Sequence, residues 1–378
     1  TDYYYLLLTD VISLISYNLY DSYLRVNLKN SVSAFLSNVL IRILWLVVVL
    51  LYSFKVYDTT TFLWVYVGGQ IVVSTIAFLY TISLGQLNIG FSFSPEKIKV
   101  LKNMSHYGLV TILSGISLLL INRIDVVMVG SYAGLADVGI YAIAMYMSMV
   151  IMVPAQSISR TAAVLVAEAF KNNDQQLLQT LYQKTAINQL LFGSIVFLLI
   201  TLNYQSLLSF LPPNYSDSFY VFFFLGLGKL IDIGLGVNGA ILLNSSYYKV
   251  DTILSVALLL LSILLKIYFI PTYGIEGAAL STMMALILFN FSKFIFLYLK
   301  LDMSPFTKEY MILLVLLIAA AMLMNLVPDA SSIWLDVPMK SVIFLLLVIP
   351  LAFKFRISPE FNEMILKGLS SIGWNKNL

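Results

Sequence analysis

The chain contains no cysteine and little charge of either sign. Without cysteine it can form no disulfide, thiolate nucleophile or cysteine metal site, and its single histidine, His106, cannot build a histidine metal cluster alone. Charged residues make up 11% of the 378 residues, against about 25% in an ordinary soluble domain. Hydrophobic residues make up 60%. So little charge cannot cover a soluble surface, and the composition predicts a polytopic membrane protein.

Apolar runs long enough to cross a hydrocarbon core of about 30 Å recur along the chain. Segment 270–274, IPTYG, marks a tight turn between two of them. The longest polar interval, 159–184, predicts an amphipathic helix along the cytoplasmic surface, or a plain helical linker. The pattern predicts an all-α fold with about eleven helices, at 3–20, 33–54, 62–82, 108–130, 134–155, 186–203, 218–245, 250–270, 274–299, 309–327 and 337–354.

Lysine and arginine are concentrated in alternate loops, and cytoplasmic loops carry the excess of these residues. The richer set of loops includes the C-terminal tail, 355–378. This asymmetry places the tail in the cytoplasm and, with eleven spans, the first residue outside. An odd number of further helices upstream would return the N-terminus to the cytoplasm.

Three ionisable residues lie at membrane depth in the first half of the chain, where a charge is costly. Arg42 lies about nine residues, or about 14 Å, into its apolar run, and is expected to face protein or water. Arg123 and Asp125 are turned about 200° apart on a helix and cannot pair with each other. Asp125 shares a stripe with Ser114 and Ser117 that is expected to face a cavity. It is a candidate for ion coupling, or for pairing with a basic residue elsewhere, whereas Arg123 would face another helix or the outer mouth.

A second polar group occurs in the apolar run 218–245. Lys229 and Asp232 are three residues apart on one face, so they can neutralise each other. Alternatively, Lys229 contacts an anion and Asp232 tunes its charge. Asn238 lies on the same run, which is expected to border the permeation path. Hinges or close helix contacts are predicted at Gly234, Gly236, Gly239 and Pro154.

Several passages together resemble a known family. In order they are NRID (122–125) through MVG (128–130), DVGIYA (137–142), VP (153–154) with SISR (157–160), LP (211–212) with Tyr215, GVNG (236–239) with SSYY (245–248), and IPTYGIEGAAL (270–280). The chain thereby resembles bacterial oligosaccharide flippases of the O-antigen type, in the polysaccharide-biosynthesis branch. Their superfamily also contains the multidrug and toxin extruders and the lipid II flippases.

The resemblance implies two six-helix lobes followed by two extra helices, fourteen in all. Residues 1–95 would be the last three helices of the N-terminal lobe, 96–300 the C-terminal lobe, 301–354 the extra pair and 355–378 the tail. The implied location is the bacterial inner membrane, with membrane lipids and polysaccharide assembly proteins as partners. No nucleic acid, cofactor or metal is implied, and nothing in the chain resembles a nucleotide-binding loop.

The implied activity is not enzymatic. It is the transfer of an undecaprenyl-pyrophosphate-linked oligosaccharide from the cytoplasmic to the outer leaflet by alternating access. Arg42, Arg123, Lys229 and Asn238 would contact the headgroup, and Asp125 and Asp232 would serve ion coupling or charge pairing. The alternatives are an ion-coupled multidrug exporter, a membrane-embedded glycan polymerase or ligase, and a non-transporting assembly scaffold.

Overall fold

A computed structural model describes the backbone of residues 2–27, 29–84, 95–212, 215, 218–324, 326–328 and 332–371, and all regular structure within these ranges is helical. Packing divides the chain into two compact units, Thr1–Ile98 and Lys99–Leu378. This division falls close to the end predicted for the N-terminal lobe, at residue 95. The assignment of helices to lobes stays a prediction.

Up to Leu84, the described residues of the first unit form four α-helices and one π-helical turn. Helices α2 and α3 are joined by the π-turn Leu36–Leu40, so that Val32–Ser53 forms one apolar span. Its small core includes Tyr17, whose hydroxyl donates to the carbonyl of Ser33 at 3.1 Å. The α-helices are α1 (Asp2–Val26), α2 (Asn30–Phe35), α3 (Ile41–Ser53) and α4 (Thr59–Ser83).

The second unit contains eleven described helices around a large apolar core. In the part of the chain that the structure describes, five helices are long and apolar enough to cross a membrane, and two bent helix pairs pass the same test. The helices are α5 (Pro95–Tyr132), α6 (Leu135–Val150), α7 (Met152–Lys171), α8 (Gln175–Leu202), α9 (Tyr204–Leu208), α10 (Phe219–Gly234), α11 (Asn238–Asn244), α12 (Tyr248–Leu301), α13 (Lys308–Met324), α14 (Ile333–Lys354) and α15 (Pro359–Ser371).

Helix α12 is a hairpin of two arms. It is interrupted at Gly274, which has φ +58° and ψ −137°. A straight helix would hold Asp251 and Lys293 about 63 Å apart at 1.5 Å per residue, yet their charged atoms are 2.7 Å apart. The two arms therefore fold back on each other, as the predicted turn at 270–274 and the runs on either side of it require.

The polar interval 159–184 does not form a surface helix, so that prediction is wrong. It contains the end of α7, a turn and the start of α8, and the two helices pack on each other. Asn173 adopts φ +53° in the turn, and the Asp174 carboxylate accepts a hydrogen bond from the Leu177 amide at 2.9 Å as the N-cap of α8. Asparagine tolerates the left-handed conformation and aspartate is a favoured N-cap, which explains why the chain turns here.

Residues 359–371 of the predicted tail form α15, which is folded against α8. The aromatic ring of Phe361 is buried and lies 6.0 Å from that of Phe192. The Lys184 ammonium is 2.7 Å from the Glu360 carboxylate. The buried hydroxyl of Ser358, before the first turn of α15, donates to Asn188 at 2.7 Å. This end of the chain is therefore part of the second unit, and residues 372–378 lie outside the described residues.

Candidate functional site

Two membrane-spanning segments of the second unit are bent near their middles. Helices α6 and α7 meet at 47°, and α10 and α11 meet at 50°. Pro154 lies in the first turn of α7, where its missing amide hydrogen costs no helical hydrogen bond. At the other bend Gly236 has φ +64°, a conformation that glycine adopts without the strain other residues incur. The predicted glycine and proline positions thus coincide with the two bends.

The break between α10 and α11 is packed tightly and its freed backbone groups are satisfied. Tyr310 donates to the carbonyl of Gly234 at 3.0 Å, and the Thr185 hydroxyl accepts from the Val237 amide at 3.3 Å. A methyl group on Gly236 would lie 2.8 Å from the Ala186 backbone nitrogen. Irregular backbone at membrane depth needs such internal partners.

A cavity of about 320 Å³ lies between the two bent segments. One side is α7 and the other is the break between α10 and α11, with Gln189 of α8 adding to the wall. Gln189 donates to Ser159 at 2.9 Å across it. Four of the predicted residues, Asp232, Gly236, Asn238 and Gly239, line this one cavity. The remaining polar lining residues are Gln156, Ser159 and Gln189.

Asn290 of α12 forms hydrogen bonds to two residues of the cavity wall. The Asn290 amide nitrogen donates to Asp232 at 2.8 Å, and the Asn290 oxygen accepts from the Asn238 amide at 3.1 Å. Because Asp232 belongs to α10 and Asn238 to α11, Asn290 spans the bend. It therefore fixes both the bend and the position of the Asp232 carboxylate.

Asp125 forms a buried ion pair with a lysine. Lys266 Nζ is 2.7 Å from Asp125 Oδ1, and the two side chains are 0% and 3% exposed. Tyr141 and Thr282 donate to the other carboxylate oxygen at 2.8 and 3.0 Å, and Lys266 also bonds to Ser262. The network joins α5, α6 and both arms of α12. Asp125 therefore faces packed protein rather than the expected cavity, and it has the basic partner that the alternative prediction required.

A second buried ion pair joins the arms of α12 farther from the hairpin bend. Lys293 Nζ is 2.7 Å from Asp251 Oδ1 and 4.1 Å from the centre of the Phe289 ring. A methyl group on Gly239 would lie 3.4 Å from Lys293 Nζ. This pair therefore supports the cavity wall from behind at Gly239, where a side chain would crowd the ammonium.

Lys229 is buried without a carboxylate partner. The ion pair with Asp232 that their spacing allows does not form, because Asp232 is held by Asn290. Among the described side chains no carboxylate oxygen lies within 4.0 Å of Lys229 Nζ, whose one hydrogen-bond contact is the Met152 sulfur at 3.9 Å. Met152 lines the cavity. The ammonium therefore lies directly behind the cavity wall.

The two predicted arginines are not in this cavity. Arg42 lies in the first turn of α3 in the first unit, and Arg123 lies on α5 in the second unit. Both side chains are exposed. Ser117, on the predicted stripe with Asp125, is buried and donates to the carbonyl of Leu113 at 2.8 Å, while the side chain of Ser114 lies outside the described residues.

Four residues of these networks were not predicted as site residues: Lys266, Lys293, Asp251 and Asn290. The cost of a charge at membrane depth points directly to Lys266 and Lys293, since each interrupts an apolar run. Asn290, between Phe289 and Phe291, is a weaker signal of the same kind.

Comparison with known proteins fits the helical architecture. Residues 111–268, less than half of the chain, match the MatE family model. The chain is similar in structure to the lipid II flippase MurJ in an inward closed conformation, with 14% identity, a TM-score of 0.69, and coverage of 93% of this chain and 74% of that one. It is also similar to a MATE protein carrying a proline-to-alanine substitution, with 16% identity, a TM-score of 0.62, and coverage of 80% and 69%. No curated protein matches the sequence.

The chain has the fold of the MATE and MurJ transporters. The prediction of an all-α polytopic fold is thereby confirmed. The MatE match and the two structures support the wider exporter superfamily that the resemblance named. They leave the O-antigen branch and its glycan as predictions.

Proposed function

We propose that the chain is a flippase that moves an oligosaccharide linked to undecaprenyl pyrophosphate from the cytoplasmic to the outer leaflet of the bacterial inner membrane. The observation that carries this proposal is the polar cavity between the two bent segments, with the unpaired Lys229 directly behind its wall. The similarity to a lipid II flippase supports a lipid-linked substrate. The tail at 355–378 is cytoplasmic in this proposal.

The chemistry of such a substrate matches the cavity. A hydrated glycan and a pyrophosphate cannot cross hydrocarbon unaided, because each desolvated polar group costs free energy. Amides and hydroxyls such as those of Gln156 and Ser159 can replace the hydration of sugar hydroxyls. An ammonium supplies a charge-assisted hydrogen bond to a phosphate oxygen. Lys229 and Asn238 are therefore the proposed headgroup contacts in this unit.

The two exposed arginines, Arg42 and Arg123, are proposed as further headgroup contacts. The side chains of Arg42 and Arg123 are exposed, and guanidinium groups bind phosphate with two parallel hydrogen bonds. We assign them to headgroup capture. Asp125 is assigned to charge pairing rather than ion coupling, because Lys266 already neutralises it.

Reconstitution tests the proposal. The purified chain in proteoliposomes is expected to move a fluorescent undecaprenyl-pyrophosphate-linked glycan to the opposite leaflet, measured by the fraction that an external quencher reaches. Empty liposomes measure spontaneous transfer. Glycan transfer no faster than in empty liposomes would overturn the proposal, and polymerisation of the glycan would indicate an enzyme instead.

The second candidate function is ion-coupled export of small cationic molecules, which the MatE match favours. The same proteoliposomes loaded with a cationic dye distinguish the two. Dye efflux driven by an ion gradient, without glycan transfer, would establish this alternative.

A further inference from the structure

The lysines buried in the second unit differ in whether they have a carboxylate partner. Three lysines are buried among the described side chains: Lys229, Lys266 and Lys293. Two of them have a carboxylate oxygen at 2.7 Å, and only Lys229 lacks one. Asp232 lies on the cavity wall. The residue that is hydrogen-bonded to its carboxylate, Asn290, is neutral. Lys229 and Asp232 therefore lack ionic partners on the same helix, α10.

Helix geometry allows these two residues to meet. Side chains three residues apart on an α-helix are neighbours on one face, so the Asp232 carboxylate and the Lys229 ammonium are within reach of each other on α10. What keeps them apart is the hydrogen bond from Asn290 to Asp232, together with the bond from Asn238 to Asn290. The first bond joins α12 to α10 and the second joins α11 to α12, so Asn290 connects the two helices that meet at the 50° bend.

The Met152 side chain lies between the Lys229 ammonium and the cavity. Its ammonium contacts only the sulfur of Met152, a flexible side chain next to the 47° bend between α6 and α7. A change in the Met152 side chain would open Lys229 to the cavity that Met152 lines. Lys229 is thus contacted by a residue next to one bend, and Asp232 by a residue that is hydrogen-bonded to Asn238 at the other.

We propose that Asp232 is a built-in competitor for an anionic ligand of Lys229. The ligand is a phosphate or pyrophosphate group, and this assignment rests on the proposed function. While Asn290 holds Asp232, no carboxylate competes for Lys229, which can bind the anion once the Met152 side chain moves aside. When the bend between α10 and α11 changes and Asn290 releases Asp232, the carboxylate pairs with Lys229 and expels the anion. The pair therefore couples helix bending to release of the headgroup.

Titration of the purified chain in detergent with inorganic pyrophosphate, followed by calorimetry, tests the competition. Lys229→Met is expected to weaken binding about tenfold or more, as expected for loss of one charge-assisted hydrogen bond. Asp232→Asn is expected to tighten binding, because it removes the competitor. Asn290→Ala is expected to weaken binding, because it frees Asp232.

The decisive variant is the double substitution Asp232→Asn with Asn290→Ala. If Asn290 acts through Asp232, the double variant binds at least as tightly as the wild-type chain. A purely structural role for Asn290 would leave the double variant as weak as Asn290→Ala alone. Ser292→Ala, a half-buried position whose hydroxyl donates to the Leu288 carbonyl of its own helix, is the matched control on the same arm.

Each outcome decides the inference separately from the proposed function. Equal pyrophosphate binding by wild type and Lys229→Met, no binding by the wild-type chain, or no rescue in the double variant would each overturn the inference. Glycan transfer in proteoliposomes could still succeed in those cases. The expected binding pattern without glycan transfer would instead retain the anion site and reject the proposed substrate.

Discussion

The free energy of unfolding is expected to fall when one charge of the buried pair of Asp125 and Lys266 is removed. Lys266→Met leaves the Asp125 carboxylate buried without its cation, and removing one partner of a buried pair costs about 3–5 kcal/mol. Adding Asp125→Asn removes the orphaned charge, so the double variant is expected to recover part of that loss. Thermal unfolding in detergent measures both variants. A double variant no more stable than Lys266→Met would contradict this account.

The sequence predicted some of this residue chemistry. The cost of a charge at membrane depth pointed to Asp125 and to a basic partner elsewhere. It did not identify that partner, Lys266, because the network joins residues far apart in the sequence. Thr282, in the same network, is 157 residues away from Asp125 along the chain. For Lys229 and Asp232 the local spacing favoured a pair. A third residue, Asn290, decides otherwise through a contact that no local pattern contains.

At the scale of elements, Gly236 measures how tightly the bend between α10 and α11 is packed. Gly236→Ala places a methyl group against the backbone of Ala186 and forces a left-handed conformation, which costs about 1–2 kcal/mol by itself. Gly68→Ala is the control, because Gly68 lies inside α4 with open space around it, so a methyl group there adds no close contact and no left-handed conformation. Gly236→Ala is expected to unfold at the lower temperature. Equal losses would show that the bend tolerates a side chain.

The absence of cysteine in the chain permits a direct test of the α12 hairpin. The variant with Asp251→Cys and Lys293→Cys is expected to be crosslinked within one chain by a short bifunctional thiol reagent, since the wild-type side chains are in contact and a reagent can span the length of the lost lysine. Crosslinking is read from a mobility shift on a denaturing gel. The control pairs Ile253→Cys, an exposed position on the first arm, with Lys293→Cys. A shift only in the control would contradict the hairpin.

The sequence patterns predicted where helices form better than they predicted how the ends of those helices pack. Glycine and proline at 270–274 correctly marked the α12 turn, because these residues fix local backbone geometry. The prediction of a surface helix at 159–184 was wrong because polar residues over one face are also typical of such a helix. There, Asn173 and Asp174 were the local signals of a turn and an N-cap. The burial of Val166 against α8 depends on long-range packing that polarity alone does not reveal.

At the scale of the whole molecule, composition was sufficient to predict a helical membrane protein, because 11% charge excludes a soluble surface. Composition does not reveal how the ends of the chain are held. Residues 359–371 are charged enough to suggest a free tail, yet they fold against α8 through Phe361 and Glu360. A tail and a docked helix differ only in contacts with residues far away in the sequence.

Docking of α15 is expected to depend on pH through Glu360. Its partial burial opposes ionisation, but hydrogen bonds from Lys184, Asn188 and Ser358 outweigh this effect and hold the pKa of Glu360 below its ordinary value of 4.5. Because the pKa is lowered in the folded state, the stabilisation is present above pH 4.5 and is lost as the pH falls through the folded value. The protection of α15 amides against hydrogen exchange, relative to the intrinsic exchange rate at each pH, is therefore expected to fall in that acidic range.

Two substitutions separate docking from helix stability. Glu360→Gln is expected to raise α15 exchange at neutral pH and to reduce its acid dependence, since the neutral amide cannot pair with Lys184. Glu363→Gln is the matched control: its partner, Lys367, lies on α15 itself, so losing that pair leaves the contact with α8 in place. Equal acceleration in the two variants would mean that α15 is held by its apolar contacts alone, with Phe361 rather than Glu360 as the anchor.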